Sequence, residues 1–373
     1  MRKYKEVMAI MDEQKIDAIL VSNGYNMRYL SGFAGATGYF YITKNHQVLL
    51  TDARYTIAAK EETALLNTKL SDEGIETGPA ITVIEISSNY NELLAQLIAQ
   101  DGTECLGFED EDILYADFMK LQQQIQNKKN IRFIPLGGKL ARLRAVKTKE
   151  ELALMKEAEH IGDLAFTHIL DVIKPGITEL EIAAELAYVM QKNGAEGLSF
   201  ETIVASGVHS SMPHAGVTAK KIEIGDFVTM DFGCRYQGYC SDMTRTVVVG
   251  KASKKQKEIY NLVLRAQLAA LDFIKAGYKG CEVDRIAREI IAKDGYGDCF
   301  GHGLGHSVGL FIHEEPRLSK NEESLILENM VETIEPGVYI EGFGGVRIED
   351  MVAVTKDGCI NFAHSPKELI ELG

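Results

Sequence analysis

In the C-terminal part of the chain, segments about 100 residues apart resemble each other in a common order. Lys174-Pro175-Gly176 leads into the helical run Glu179-Leu180-Glu181-Ile182-Ala183-Ala184-Glu185, and Lys275-Ala276-Gly277 leads into Glu282-Val283-Asp284-Arg285-Ile286-Ala287-Arg288-Glu289. Both runs end in a glycine turn, at Asn193-Gly194 and at Asp294-Gly295. Phe227-Val228-Thr229-Met230-Asp231 then matches Val331-Glu332-Thr333-Ile334-Glu335 at an offset of 104 residues, and each half offers a second acid, Asp242 or Glu349. One such match is weak. Their shared order and nearly constant offset predict a duplicated unit. Related halves meet about a pseudo-twofold axis, so a site at the seam would draw side chains from both.

Upstream of the repeat, short β-rich runs alternate with helical ones: Ala18-Ile19-Leu20-Val21, Tyr39-Phe40-Tyr41-Ile42, Gln47-Val48-Leu49-Leu50 and Ile81-Thr82-Val83-Ile84. This pattern predicts an α/β domain. Arg132-Phe133-Ile134-Pro135 reads as its last strand, running into a turn at Gly137-Gly138, with a basic stretch from Lys139 to Lys149 beyond. The boundary is placed there, giving domains 1–137 and 138–373. Thr148 and Glu151 form a capping box, and Leu152, Met155, Ala158 and Ile161 follow at helical spacing, so the second domain opens with a helix.

Acids outnumber bases by 54 to 40, a net charge of −14, with no segregated basic patch. Such a balance repels nucleic-acid phosphates and anionic membranes. The start, Met1 to Glu6, turns charged at once, and no apolar run approaches the ~18–20 residues of a spanning helix, so a cytoplasmic chain is expected. Six scattered cysteines without a CxxC pair argue against structural zinc and a disulfide framework, and most are expected to be buried thiols.

Alternation through Val228, Met230 and Phe232 puts Thr229, Asp231 and Gly233 on the other strand face. A turn near Tyr236-Gln237-Gly238 returns the chain as Ser241-Asp242-Met243-Thr244-Arg245-Thr246, which sets Asp242 roughly opposite Asp231. Opposed like charges destabilise a sheet, so this pair needs a cation, a protonated acid or a different register. Glu335-Pro336-Gly337 enters a second hairpin, with its loop at Glu341 to Gly345, that brings Glu349 back near Glu335. Three of nine histidines, His302, His306 and His313, lie within one glycine-rich run, and His214 sits about 100 residues upstream. Acids with an imidazole suit divalent ions such as Mn²⁺, Co²⁺, Fe²⁺ or Zn²⁺. Two ions are expected, because four carboxylates over-charge one.

In the contexts Met230-Asp231-Phe232-Gly233, Ser241-Asp242-Met243-Thr244-Arg245-Thr246, Gly305-His306, Ile334-Glu335-Pro336-Gly337 and Arg347-Ile348-Glu349-Asp350, the chain resembles the pita-bread metallopeptidases: methionine aminopeptidase, aminopeptidase P and prolidase. The resemblance implies an α/β fold, in which a creatinase-type N-terminal domain precedes a pseudo-twofold pita-bread catalytic domain. It also implies Asp231, Asp242, His306, Glu335 and Glu349 as ligands of two divalent ions, Mn²⁺ first among them. The seven-residue spacing from the ligand to His313 singles out His306 over His302. By the same resemblance a hydroxide held between the ions attacks an Xaa-Pro carbonyl. Glu335 takes the water's proton, His313 and an ion stabilise the oxyanion, His214 binds the substrate or leaving nitrogen, and Arg347 orders the carboxylates. His302 belongs to the pocket beside the proline ring.

The N-terminal domain sets the chain apart from most methionine aminopeptidases. Tyr29-Leu30-Ser31-Gly32-Phe33-Ala34-Gly35-Ala36-Thr37-Gly38 and Thr51-Asp52-Ala53-Arg54-Tyr55 look most like short bacterial aminopeptidases P. The expected activity is therefore release of an N-terminal residue ahead of proline, with Xaa-Pro dipeptidase (prolidase) as the alternative. A dipeptidase needs a cation for the substrate carboxylate, for which Arg28, Lys44 and Arg54 are candidates. Proline-containing peptides are the expected partners, and the resemblance implies a homodimer. Metal-free creatinase lacks the full carboxylate set, and non-catalytic peptide-binding relatives have lost ligands; this chain keeps all five.

Overall fold

A computed structural model describes residues 3–35, 37–72, 78–86, 89–127 and 129–373. Met1, Arg2 and Ala36 of the segments above lie outside them. The chain forms two compact units, Met1–Arg144 and Ala145–Gly373.

In the first unit, strands β1 (Ala18–Val21), β2 (Tyr39–Thr43), β3 (Gln47–Asp52), β4 (Ile81–Ile86), β5 (Cys105–Phe108) and β6 (Arg132–Pro135) make one mixed sheet in the order β4-β3-β2-β1-β5-β6. Helices α1 (Lys3–Gln14), α2 (Gly24–Ser31), α3 (Thr56–Asp72), α4 (Tyr90–Gln100), α5 (Tyr115–Gln126) and α6 (Lys139–Arg142) connect and cover it. The unbroken apolar run of β1 is explained by burial on both faces. Ile19 and Val21 pack with Val7 and Met11 of α1, whereas Ala18 and Leu20 pack with Leu94 and Ile98 of α4. Strand β5 escapes sequence reading because it is four residues long and contains Gly107. That glycine packs closely: a Cβ there would stand 2.5 Å from Ile16 Cδ1 and make that side chain shift.

The division falls at Arg144 and not at Gly137. Leu140 of α6 is buried beside Val7, Met11 and Leu136, and Leu143 O accepts from Tyr29 Oη at 2.6 Å. The apolar residues of the basic stretch complete the first core, which charge counting does not reveal.

The second unit repeats one pattern twice. Helices α7 (Lys149–Val172) and α8 (Glu179–Lys192) precede strands β7 (Gly197–Leu198), β8 (Ile203–Ser206), β9 (Phe227–Phe232), β10 (Cys234–Tyr236), β11 (Tyr239–Cys240) and β12 (Met243–Val249). Helices α9 (Lys254–Phe273) and α10 (Gly280–Lys293) precede β13 (Gly305–Ser307), β14 (Glu314–Leu318), β15 (Val331–Ile334), β16 (Gly337–Ile340), β17 (Gly344–Arg347), β18 (Asp350–Val354), β19 (Cys359–Asn361) and β20 (Glu371–Leu372). The two main sheets run β20-β12-β9-β8 and β14-β13-β15-β18-β19. The Thr148–Glu151 capping box is formed, and Thr178–Glu181 and Ser253–Gln256 start α8 and α9 in the same way. Helices α8 and α10 stop at Gly194 and Gly295, whose φ values of +106° and +88° suit glycine alone.

Each half has its own core. Ile161, Phe166 and Ile169 of α7 meet Leu186 of α8 and Val228 and Met230 of β9. Ile259 and Val263 of α9 meet Val283 and Ala287 of α10, Ile334 and Val352. Burying each large side chain contributes about 1.5–3 kcal/mol before ordering costs. Among the described residues no helix is long and apolar enough to cross a membrane. No cysteine forms a disulfide; Cys105, Cys234 and Cys240 are buried, while Cys281, Cys299 and Cys359 are only half-buried.

Candidate metal centre

The first hairpin differs from its expected register. Asp231 pairs with Thr244, and Phe232 with Met243. Tyr236 and Tyr239 close the turn around Gln237 and Gly238, both at positive φ. The same register, carried onward, sets Asp242 against Gly233, where a Cβ would lie 1.9 Å from Ser241 O and 3.2 Å from Asp242 N. Asp231 and Asp242 therefore share a face as diagonal neighbours, which relieves the direct opposition expected from sequence. In the second hairpin the pairs Ile334–Asp350 and Gly337–Arg347 flank Glu335 and Glu349, and this register brings Glu349 back near Glu335 as expected.

The halves converge. Asp242, His306 and Glu349 are all buried, and each offers a ligand atom within 4.8 Å of the other two. His306 Nε2 lies 3.4 Å from Asp242 Oδ2 and 3.7 Å from Glu335 Oε1. Its Nδ1 stands 3.1 Å from Ser307 O, and because a carbonyl only accepts, the proton sits on Nδ1 and the lone pair on Nε2 faces the acids. Asp231 Oδ2 accepts from Arg347 Nη2 at 2.6 Å, while its buried Oδ1 has no donor.

Burial, and then the neighbouring acids, push Asp242 and Glu349 well above the usual carboxylate range. Burial raises Glu335 to about 7 against the opposing pull of His306 and Arg347. Acids this close and this desolvated lack positive charge, and an orphaned Asp231 oxygen lacks a partner. Both deficits fit divalent cations held by oxygen and imidazole donors.

The predicted pocket residues lie around this cluster. His313 is exposed, its ring centroid 4.6 Å from that of His306, and desolvation in the cleft followed by the His306 charge lowers it to about 4. His302 is half-buried, with Nδ1 2.7 Å from Gly303 O and Nε2 3.0 Å from Tyr339 Oη; burial, then Arg347, brings it to about 4. His214 is exposed and near enough for its charge to act on both. Arg347 is buried and donates from Nε to Thr244 Oγ1 at 3.0 Å, and from Nη1 to Tyr339 Oη at 2.7 Å and Pro213 O at 3.2 Å.

Several residues escaped sequence reasoning. Thr244 accepts from Arg347 and donates to Glu349 Oε2 at 2.6 Å, linking guanidinium to carboxylate. Thr333 Oγ1 donates to Glu335 Oε1 at 3.2 Å and accepts from His306 N at 3.1 Å. Both stand at a two-residue step from an acid, so strand alternation could have found them. Tyr339 gave no signal. Buried Arg245 donates to Asp350 Oδ1 at 2.7 Å and to Glu349 O, tying the halves together behind the acids. Of the cations suggested for a substrate carboxylate, Arg54 is forked onto Asp52 and Lys44 is paired with Asp12.

The chain is similar to known proteins along nearly its whole length. Residues 153–356 match the model of metallopeptidase family M24, and residues 3–146 match the creatinase/prolidase N-terminal domain. The Xaa-Pro dipeptidase of Pyrococcus horikoshii is 39% identical over 370 residues, covering 99% of this chain and 98% of that protein. Among solved structures, an Xaa-Pro dipeptidase from Bacillus anthracis superposes with a TM-score of 0.91 at 40% identity, covering 99% of both chains. An X-Pro aminopeptidase from Thermotoga maritima gives 0.86 at 36% identity, covering 97% of this chain and 99% of that one.

Proposed function

Given that the chain belongs to metallopeptidase family M24, we propose that it is a dinuclear-metal Xaa-Pro peptidase that releases the residue preceding proline at a peptide N-terminus. The observation that carries this reading is the convergence of Asp242, His306 and Glu349, with Asp231 and Glu335 beside them. These five would hold two divalent ions, with Mn²⁺ the first choice for a set of four carboxylates and one imidazole. The chemistry supplied by such ions is Lewis acidity, which acidifies a water and polarises a carbonyl.

The protein's own groups do the rest. Glu335, whose carboxyl lies near 7 before metal enters, accepts the proton of the attacking water. His313, neutral and exposed beside His306, donates to the carbonyl oxygen as charge develops there. His214 binds the substrate at the scissile nitrogen. Arg347 fixes Asp231 and, through Thr244, Glu349. His302 is held by Gly303 and Tyr339, so its ring edge lines the proline pocket.

Dipeptidase action is a second reading, favoured by Arg317. This residue is the cross-strand partner of His306, its charge acts on both His306 and His313, and its Nε donates to exposed Glu315 Oε1 at 3.2 Å, a surface pair that an incoming substrate carboxylate would replace. Hydrolysis of Xaa-Pro compared with Xaa-Pro-Yaa peptides separates the two readings. For the shared reading the test is Asp242→Ala: a folded variant that binds fewer than about two ions per chain and has lost Xaa-Pro hydrolysis is expected. Full activity in that variant would reject it.

A further inference from the structure

The segment from Ser206 to Thr218 carries His214, yet its only regular structure is a short 3₁₀ turn, Gly207–Ser211. Backbone of this kind is held in place by whichever groups satisfy its donors. One buried carboxylate takes the backbone donors at the segment's two ends, together with three side-chain donors. Glu179, the first residue of α8, is 0% exposed. Its Oε1 accepts from Ser206 N and Ser206 Oγ, both at 2.8 Å, and its Oε2 accepts from Thr218 N at 3.1 Å and Thr218 Oγ1 at 2.6 Å. His209 Nδ1 donates between the two oxygens, at 3.0 and 3.1 Å. Burial alone would raise the carboxyl, but the donors from Thr218, His209 and Ser206 outweigh it and hold Glu179 below the usual range.

Both ends of the segment and its one turn thus donate to a single side chain, and the Ser206 end is also paired with Val228 of β9. The middle is held from the opposite side, where Gly345 N donates to Ser210 Oγ at 2.9 Å and Arg347 Nη1 donates to Pro213 O. Backbone bonds from Glu179 N to Lys220 O and from Leu180 N to Thr218 O continue the attachment to α8, and Lys220 Nζ reaches Ser206 Oγ at 2.9 Å.

We propose that Glu179 is a positioning residue that clamps both ends of the 206–218 segment and thereby sets where His214 stands beside His302 and His313. Glu179 touches no substrate; it acts through His214. The proposal rests on the substrate-binding role given to His214 above, so its test has one arm independent of activity.

Glu179→Gln keeps the size of the side chain but turns one acceptor into a donor facing donors. In the full chain, amide hydrogen exchange over residues 207–217 should then quicken about tenfold or more while α7 and α9 exchange as before. On an Xaa-Pro peptide the variant should lose about tenfold in kcat/KM with bound metal unchanged, whereas in a His214→Ala background the same substitution should cost less than about twofold. A merely structural defect would subtract equally in both backgrounds, and that result overturns the proposal, as does unchanged exchange. If Glu179→Gln fails to fold, Thr218→Val removes one hydroxyl from the same clamp, and its exchange over 207–217 must still rise. Should the wild-type protein cleave no Xaa-Pro peptide, the functional reading falls while the exchange arm still decides the clamp.

Discussion

Arg347 Nη2 lies 2.6 Å from Asp231 Oδ2, joining a strand of the second half to a strand of the first. The same guanidinium reaches Thr244, Tyr339 and Pro213, so one cation orders acids from both halves before any metal enters. Lysine offers a point charge without that planar fork. Arg347→Lys is therefore expected to keep the fold but weaken metal binding about 10–100-fold, measured by titration with Mn²⁺, and to lower kcat even at saturating metal.

The clustered acids make stability depend on pH in a defined direction. Glu335 is raised to about 7 in the folded chain, chiefly by burial, and Asp242 and Glu349 move the same way. In the unfolded chain such acids lose their protons near 4. Between about pH 4.5 and 7 the metal-free folded protein therefore binds more protons than the unfolded one, and its stability falls as pH rises. Thermal melts in chelator should show Tm dropping across that window. Added Mn²⁺ should raise Tm by roughly 5 °C or more near pH 7.5, and by less near pH 5.

Thr244 passes the influence of Arg347 to Glu349 through one hydroxyl. Thr244→Val keeps the shape and removes the relay. Expected are metal affinity about 10–100-fold weaker and a smaller change in the unfolding midpoint, since the strand pairing to Asp231 uses backbone alone.

Arg317 distinguishes a dipeptidase from an aminopeptidase. If it meets the carboxylate of an Xaa-Pro dipeptide, Arg317→Ala should raise KM for the dipeptide about tenfold or more and leave Xaa-Pro-Yaa peptides nearly unaffected. Equal effects on both would assign Arg317 to the framework around His306.

Local pattern was enough for much of this protein. The duplication was legible from offsets, the helix starts from Thr148, Glu151 and the run Glu179–Glu185, and five of the six first-domain strands from β-rich runs, because caps, periodicity and turn glycines act within a few residues. The acids and histidines of the site were legible as types in a recurring order. Strand β5 was not, because its four residues are broken by Gly107 and leave no apolar run to read. The position of Asp242 was not either: a hairpin closed at Gln237-Gly238 leaves it opposite Gly233, two residues short of Asp231, and a two-residue shift in register leaves no mark on alternation.

The sequence by itself determined which residues could carry charge to a metal and that two similar halves would present them. Only the tertiary structure decided that Arg347 crosses to Asp231, that Thr244 and Thr333 complete the network, that Tyr339 orients His302, and that Glu179 gathers both ends of the His214 segment. Those contacts join residues far apart in the chain, and their energies come from desolvated charges and donors meeting at a seam that exists only once both halves have folded.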